Sequence, residues 1–146
     1  MSSVKDNNPN LTQEIWNKFA DQQHVFLATA EKDQPRVRPV TLIYLNRELF
    51  IATGSNDAKI KQIEQNPKTE FCLLLEDGEQ KGTIRVECKA QILADAKVKA
   101  EVYDKTSFIR EFFEVPEDPG YALLKLQPTV FEYMKPGAIE AKKVSL

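Results

Sequence analysis

Histidine and cysteine are scarce in this chain: His24 is the only one of the first, and Cys72 and Cys88 are the only two of the second, in 146 residues. A zinc site of the usual Cys/His spacing therefore has no ligands, and no metal is expected. A Ser-His-Asp or Cys-His nucleophile is equally excluded, since the lone histidine has no identifiable orienting partner. The two cysteines lie far apart without CxxC spacing and read as reduced core thiols, not as a disulfide. Glycine is also sparse, and its five copies nowhere form a GxGxxG fingerprint. No apolar run approaches the roughly 20 residues of a membrane span. The opening MSSVKDNNPN has no apolar stretch of the signal-peptide kind, so a cytoplasmic location is expected. Neither sign of charge dominates: the formal net charge is −2, which gives no basic field to attract nucleic acid.

The chain does have a core. Hydrophobic residues make up 42% and charged residues 29%, the balance of a soluble globular domain. Residues 1–10 read as a flexible tail and 11–146 as one domain. LTQEIWNKFADQQ is a helix pattern starting at Leu11, with Asn10 or Thr12 as cap and Leu11, Ile15, Trp16 and Phe19 on one face. HVFLATA (24–30) and RVRPVTLIYL (36–45) read as strands around the polar turn EKDQP. Asn46 and Arg47 then make a tight link to ELFIAT (48–53), the pattern of a hairpin. TEFCLLLE (69–76) is a buried strand. TIRVECKAQIL (83–93) alternates, with Ile84, Val86, Cys88, Ala90 and Ile92 toward a core and their neighbours toward solvent. Asp95 can cap a helix to about Tyr103, SFIREFF is a further short helix, and YALLKLQP and TVFEYMK are closing strands. The tail PGAIEAKKVSL gives no firm signal. Six or seven strands with short turns and few long crossovers predict a mainly β fold, an antiparallel barrel with helices beside it.

Two stretches carry the candidate chemistry. In IATGSNDAKIKQIEQNP (51–67) a strand ends at Thr53, and a helix follows with Lys59 and Lys61 in its first turns. Cations are misplaced at the positive end of a helix, unless an anion docks there. Thr53 and Ser55 offer hydroxyls, Gly54 permits close backbone approach, and both lysines could reach the same phosphate. The same pattern also fits a solvated helix with two surface lysines. In PRVRPV (35–40), Arg36 and Arg38 share a strand face that turns apolar at Val40, Leu42 and Tyr44, as at the rim of a groove. A water-exposed strand end is the plainer alternative. Pro39, lacking an N–H, belongs at a sheet edge. His24 could donate a proton or be structural. Phe108, Phe112 and Phe113 have core spacing but could line a pocket.

The order FLAT, PRVRPV, then LFIATG with Lys59, Lys61, Ile63 and Asn66-Pro67 behind it, then GTIRVECKAQIL, resembles the FMN-binding split-barrel proteins related to pyridoxamine 5′-phosphate oxidase. YDKTSFIREFFEVPEDPGYALLKLQPTVFEYM resembles the general-stress-protein branch of that superfamily, so the likeness spans residue 11 to about 134. It implies an antiparallel Greek-key split barrel and a homodimer with FMN at the subunit interface. It places the ligand on Arg38, Pro39, Val40 and Thr41, and its phosphate at Thr53 and Gly54 with Lys59 and Lys61. Thr83 would face the ring, and Phe113 stands where relatives of the stress type carry tryptophan.

The pattern departs from the oxidases at Asp57 and Ala58, where they carry serine and arginine as phosphate ligands. The ending IEAKKVSL lacks the arginine with which they hold pyridoxal phosphate, so that oxidase activity itself is not expected. The expectation is an FMN-dependent oxidoreductase acting on a small molecule, with a reduced nicotinamide as candidate donor. The alternatives are a non-catalytic flavin-binding stress or carrier protein, a barrel using deazaflavin or haem, and a barrel that has lost its ligand.

Overall fold

The computed structural model describes residues 3–146. Eight strands form one sheet: β1 (Ser3–Lys5), β2 (Gln22–Glu31), β3 (Gln34–Leu45), β4 (Glu48–Gly54), β5 (Lys68–Asp77), β6 (Gln80–Ile92), β7 (Tyr121–Met134) and β8 (Ala141–Ser145). The helices are α1 (Pro9–Trp16), α2 (Ala58–Gln65) and α3 (Ala96–Lys105), and a 3-10 turn spans Ser107–Glu111. The strand order is β1-β8-β7-β4-β3-β2-β5-β6, and a further β7–β6 pairing closes β2 to β7 into a barrel. All pairings are antiparallel except β1 with β8.

Local chemistry fixes the hairpins. Asn46 and Arg47 both take positive φ, 53° and 61°, as the two central residues of a type I′ link between β3 and β4. Gly78, with φ of 61°, opens the short turn between β5 and β6. In β6 the expected alternation holds, with Ile84, Val86, Cys88 and Ala90 buried and Arg85, Glu87 and Lys89 exposed. Gly82 is required there for a different reason: a Cβ would collide with the Met134 carbonyl and with Pro136.

Two apolar clusters result. The inner one fills the barrel with Leu27, Leu42, Ile51, Phe71, Ile84, Leu124 and Phe131, plugged from α1 by Ile15 and Trp16. The outer one lies where α3 and the 3-10 turn cover the sheet, and joins Ile43, Phe50, Leu123 and Tyr121 to Val102, Tyr103 and Ile109. Where the two clusters meet, Leu42 and Ile43 of β3, Leu49 to Ile51 of β4 and Tyr121 to Leu124 of β7 are buried on both faces, which is why these short segments read as continuous apolar runs.

Several sequence expectations are corrected. Ser3–Lys5, expected in a loose tail, pairs in parallel with β8, which the sequence left unassigned. Helix α1 starts at Pro9 under an Asn8 cap, two residues before Leu11. The stretches YALLKLQP and TVFEYMK are one strand, β7. The break suggested by Pro128 is a register shift opposite Glu87 and Cys88, which accommodates a residue without an N–H. Cys88 is buried and Cys72 half-buried, and both are free thiols. No helix among the described residues is long and apolar enough to cross a membrane.

Tyr121 gives the outer cluster an alkaline limit. Its hydroxyl donates to the Lys99 carbonyl at 3.1 Å, and burial pushes its pKa to about 12. An unfolded tyrosine ionises near pH 10. Below about pH 10 both states keep the proton and stability is intact. Between about pH 10 and 12 only the native state keeps it, so stability drains as pH rises. Urea midpoints measured from pH 9 to 12 should fall, and Tyr121→Phe should flatten part of that slope.

Candidate functional site

Strand β4 ends at Gly54, and two backbone bonds set the turn that follows: Ser55 N–H donates to the Gly120 carbonyl (2.8 Å), and Asp57 N–H to the Gly54 carbonyl (3.0 Å). Asp57 then caps α2, its carboxylate accepting from the Lys59 N–H at 3.0 Å. Ile60 and Ile63 point into the barrel, and Lys59 is also buried, with its side chain 7% exposed. Its ammonium donates to Thr53 Oγ1 at 2.7 Å and lies 2.9 Å from Asp57 Oδ1. The cation at the positive end of this helix is thus balanced by the capping carboxylate. Burial acts to raise the pKa of Asp57. The hydrogen bonds from Lys59 and the charges of Lys59 and Arg38 outweigh it and hold the carboxyl below its usual range.

Lys59 forms one end of a cleft of about 520 Å³. Strand β3 contributes Pro39, Val40 and Thr41. Strand β4 contributes Ile51 to Gly54, and the wall after α3 contributes Phe108, Ile109, Phe112 and Phe113. The volume is that of an ordinary small-molecule site, apolar along most of its length with a charged corner. The aromatic wall is anchored from behind. Tyr103 Oη donates to the Phe113 carbonyl at 2.7 Å, and the rings of Phe113 and Tyr121 lie 5.4 Å apart.

Of the ten residues singled out from sequence, seven meet in this cleft: Pro39, Val40, Thr41, Thr53, Gly54, Lys59 and Phe113. Lys61 is exposed on α2 and outside it. Arg38 turns toward α2, donating to the Leu27 carbonyl (3.2 Å) and to Gln62 Oε1 (2.8 Å). Burial, aided by the like charge of Arg36, lowers its pKa, and Asp57 acts in the opposite direction. Thr83 lies opposite Leu74 on β5 and Met134 on β7, in a separate depression with Arg85 and Glu132.

Sequence reasoning missed two features. Gln62 is the hub of a polar network: its Oε1 also accepts from Thr29 Oγ1 and its Nε2 donates to Glu31 Oε2, which ties α2 to β2. A glutamine between two inward isoleucines was the available signal. Phe112, of a spacing that suits a core, is 72% exposed at the mouth of the cleft. The outer face of the sheet is apolar as well. Phe26, paired with Pro39 and Cys72, is 46% exposed, and Val37 and Leu74 are 70% and 60% exposed. This face runs from the cleft edge at Pro39 to Thr83, which pairs with Leu74.

The profile of the family described as pyridoxamine 5'-phosphate oxidase matches residues 11–135. The chain belongs to that family. Among its relatives is General stress protein 26 of Bacillus subtilis (strain 168), 25% identical over 141 residues that cover 96% of this chain and 98% of that one. The crystal structure of General Stress Protein 26 from Bacillus anthracis str. Sterne superposes with a TM-score of 0.75 at 26% identity, covering 94% of this chain and 99% of that one. These place the chain in the general-stress-protein branch of the split-barrel family. The same barrel recurs in a heme binding protein from Mycobacterium smegmatis, with a TM-score of 0.78 at 10% identity over 96% of this chain and 60% of that one, a likeness of fold alone.

Proposed function

We propose that this chain is a flavoprotein that holds FMN in the cleft between β3, β4, α2 and the aromatic wall, and that it acts as a flavin-dependent oxidoreductase on a small molecule other than pyridoxamine phosphate. The buried Lys59 ammonium at one end of an apolar cleft carries this reading, because a flavin likewise joins a flat apolar ring to a polar chain. In the cleft Lys59 and Thr53 would anchor the polar end, Pro39 to Thr41 would support the ring edge, and the phenylalanines would exclude water. The bound flavin supplies hydride transfer, and these residues orient it. Haem fits less well. Its iron needs an axial His, Cys, Met or Tyr, and no such side chain lines the described cleft. His24, exposed on β2, pairs with Thr41 and so stands on the same face beside the cleft without lining it.

The apolar sheet face supports a homodimer. Large exposed apolar patches mark interfaces, and a second copy would cover Phe26, Val37 and Leu74 while bringing its Thr83 toward the partner's cleft edge. Sedimentation of the flavin complex should therefore give a dimer; a monomer with flavin bound would remove this element.

The visible spectrum of the purified protein tests the cofactor. Flavin absorption is expected, with released FMN identified chemically, or else reconstitution by added FMN. At about 100 times its Kd, FMN adds about 2.7 kcal/mol, or roughly 10 °C in Tm. A Soret band, or a colourless protein whose melting FMN does not raise, overturns the reading.

A further inference from the structure

Resting on the flavin reading, we propose that Asp57 sets which flavin the cleft prefers: by pairing with Lys59 it cancels most of the advantage of a terminal phosphate, so that riboflavin binds nearly as well as FMN. The contact is pinned from two sides. Asp57 Oδ1 accepts the Lys59 N–H at 3.0 Å and lies 2.9 Å from the Lys59 ammonium. Swinging the carboxylate away would uncap α2 as well as break the ion pair. A phosphate approaching Lys59 therefore meets a fixed negative charge, whose repulsion is softened but not removed by water, since the Asp57 side chain is 43% exposed.

Of the other cations only Arg38 acts on Asp57, through its charge and from outside the cleft lining. Arg38 is committed to the Leu27 carbonyl and Gln62. Arg36 is paired with Glu31 at 3.1 Å, and Lys61 is solvated. A hydroxyl terminus suits the pair better. The corner presents an ammonium donor beside a carboxylate acceptor, and an alcohol both accepts and donates. A phosphate dianion only accepts, and leaves the carboxylate unanswered.

The test is titration of FMN and riboflavin by fluorescence quenching, against the wild type, Asp57→Asn and Asp57→Ser. Both substitutes cap helices well, so α2 is preserved. The wild type should bind the two flavins within about threefold of each other. Removing the carboxylate should tighten FMN about fivefold, the upper scale of a half-exposed charge contact, with riboflavin little changed because Asn and Ser keep an oxygen acceptor. A wild-type preference for FMN of about a hundredfold, or an unchanged ratio in both variants, overturns the inference and leaves the flavin reading standing. Failure of both flavins to bind any of the three proteins overturns the flavin reading and this inference with it.

Discussion

Lys59→Ala should weaken FMN binding by roughly 1.5–3 kcal/mol, a loss of about ten- to a hundredfold or slightly more. The side chain is 7% exposed, so its ammonium is held in place and water screens it little. Alanine removes that charge and leaves the Asp57 carboxylate on its cap, now without its cation, beside the incoming phosphate. The loss therefore combines a missing attraction with an uncovered repulsion. Riboflavin carries no phosphate and should lose far less, so the variant should prefer riboflavin to FMN. Lys68→Ala on β5, exposed and outside the cleft, serves as the control and should change neither constant. An FMN dissociation constant in Lys59→Ala within about twofold of the wild type would remove this residue from the site.

Arg38→Ala is expected to act by a different route. Its guanidinium spans the Leu27 carbonyl and Gln62, so its loss loosens the seat of α2 under the Asp57–Lys59 corner without removing a lining group. A positioning role of this kind predicts losses for riboflavin and FMN that are similar in size, unlike the selective effect at Lys59. Comparing the two ligands in the two variants separates anchor from support.

The sequence was most legible where one chemical preference dominated. The alternation in β6 reflects a strand with one packed face, and the Asn46-Arg47 link reflects a turn that demands positive φ. The corner after Thr53 was visible because lysines at a helix start contradict the helix dipole, and the structure resolves that contradiction with Asp57. What stayed hidden depends on distant partners. β8 has no strong pattern of its own; it pairs along the half of β7 that β4 leaves free, and β1 pairs onto β8 in turn. Phe112 has the spacing of a core residue, and only the packing of the 3-10 turn against β7 leaves it at the cleft mouth. Arg38 shares a strand face with Val40, yet Gln62, distant in sequence, decides where its guanidinium goes. Thr83 stays apart from the cleft, because its strand β6 pairs with β5 and β7 and not with the cleft strands β3 and β4.

Phe131→Ala should be the most destabilising single change considered, costing about 3–5 kcal/mol. The ring is fully buried, lies edge-on to Trp16 at 5.3 Å between centroids, and sits 6.4 Å from Phe19. Its backbone pairs with Val86 on β6 and Val144 on β8, so one side chain joins the closing strand of the barrel, the α1 plug and the added edge. Collapse around the void is resisted on each side, by strands held in register and by a tryptophan whose own packing uses that ring. The urea midpoint should fall with the slope unchanged, because the surface exposed on unfolding barely differs. Ile139→Ala, at a side chain 94% exposed, should stay within about 0.5 kcal/mol. Phe131 belongs to the inner cluster, whereas Ile109 and Phe113 of the cleft wall belong to the outer one. Well below its lowered Tm, Phe131→Ala should therefore still bind flavin. A cost below about 1.5 kcal/mol would mean that Trp16 and Phe19 refill the space, and that α1 is a looser plug than its packing indicates.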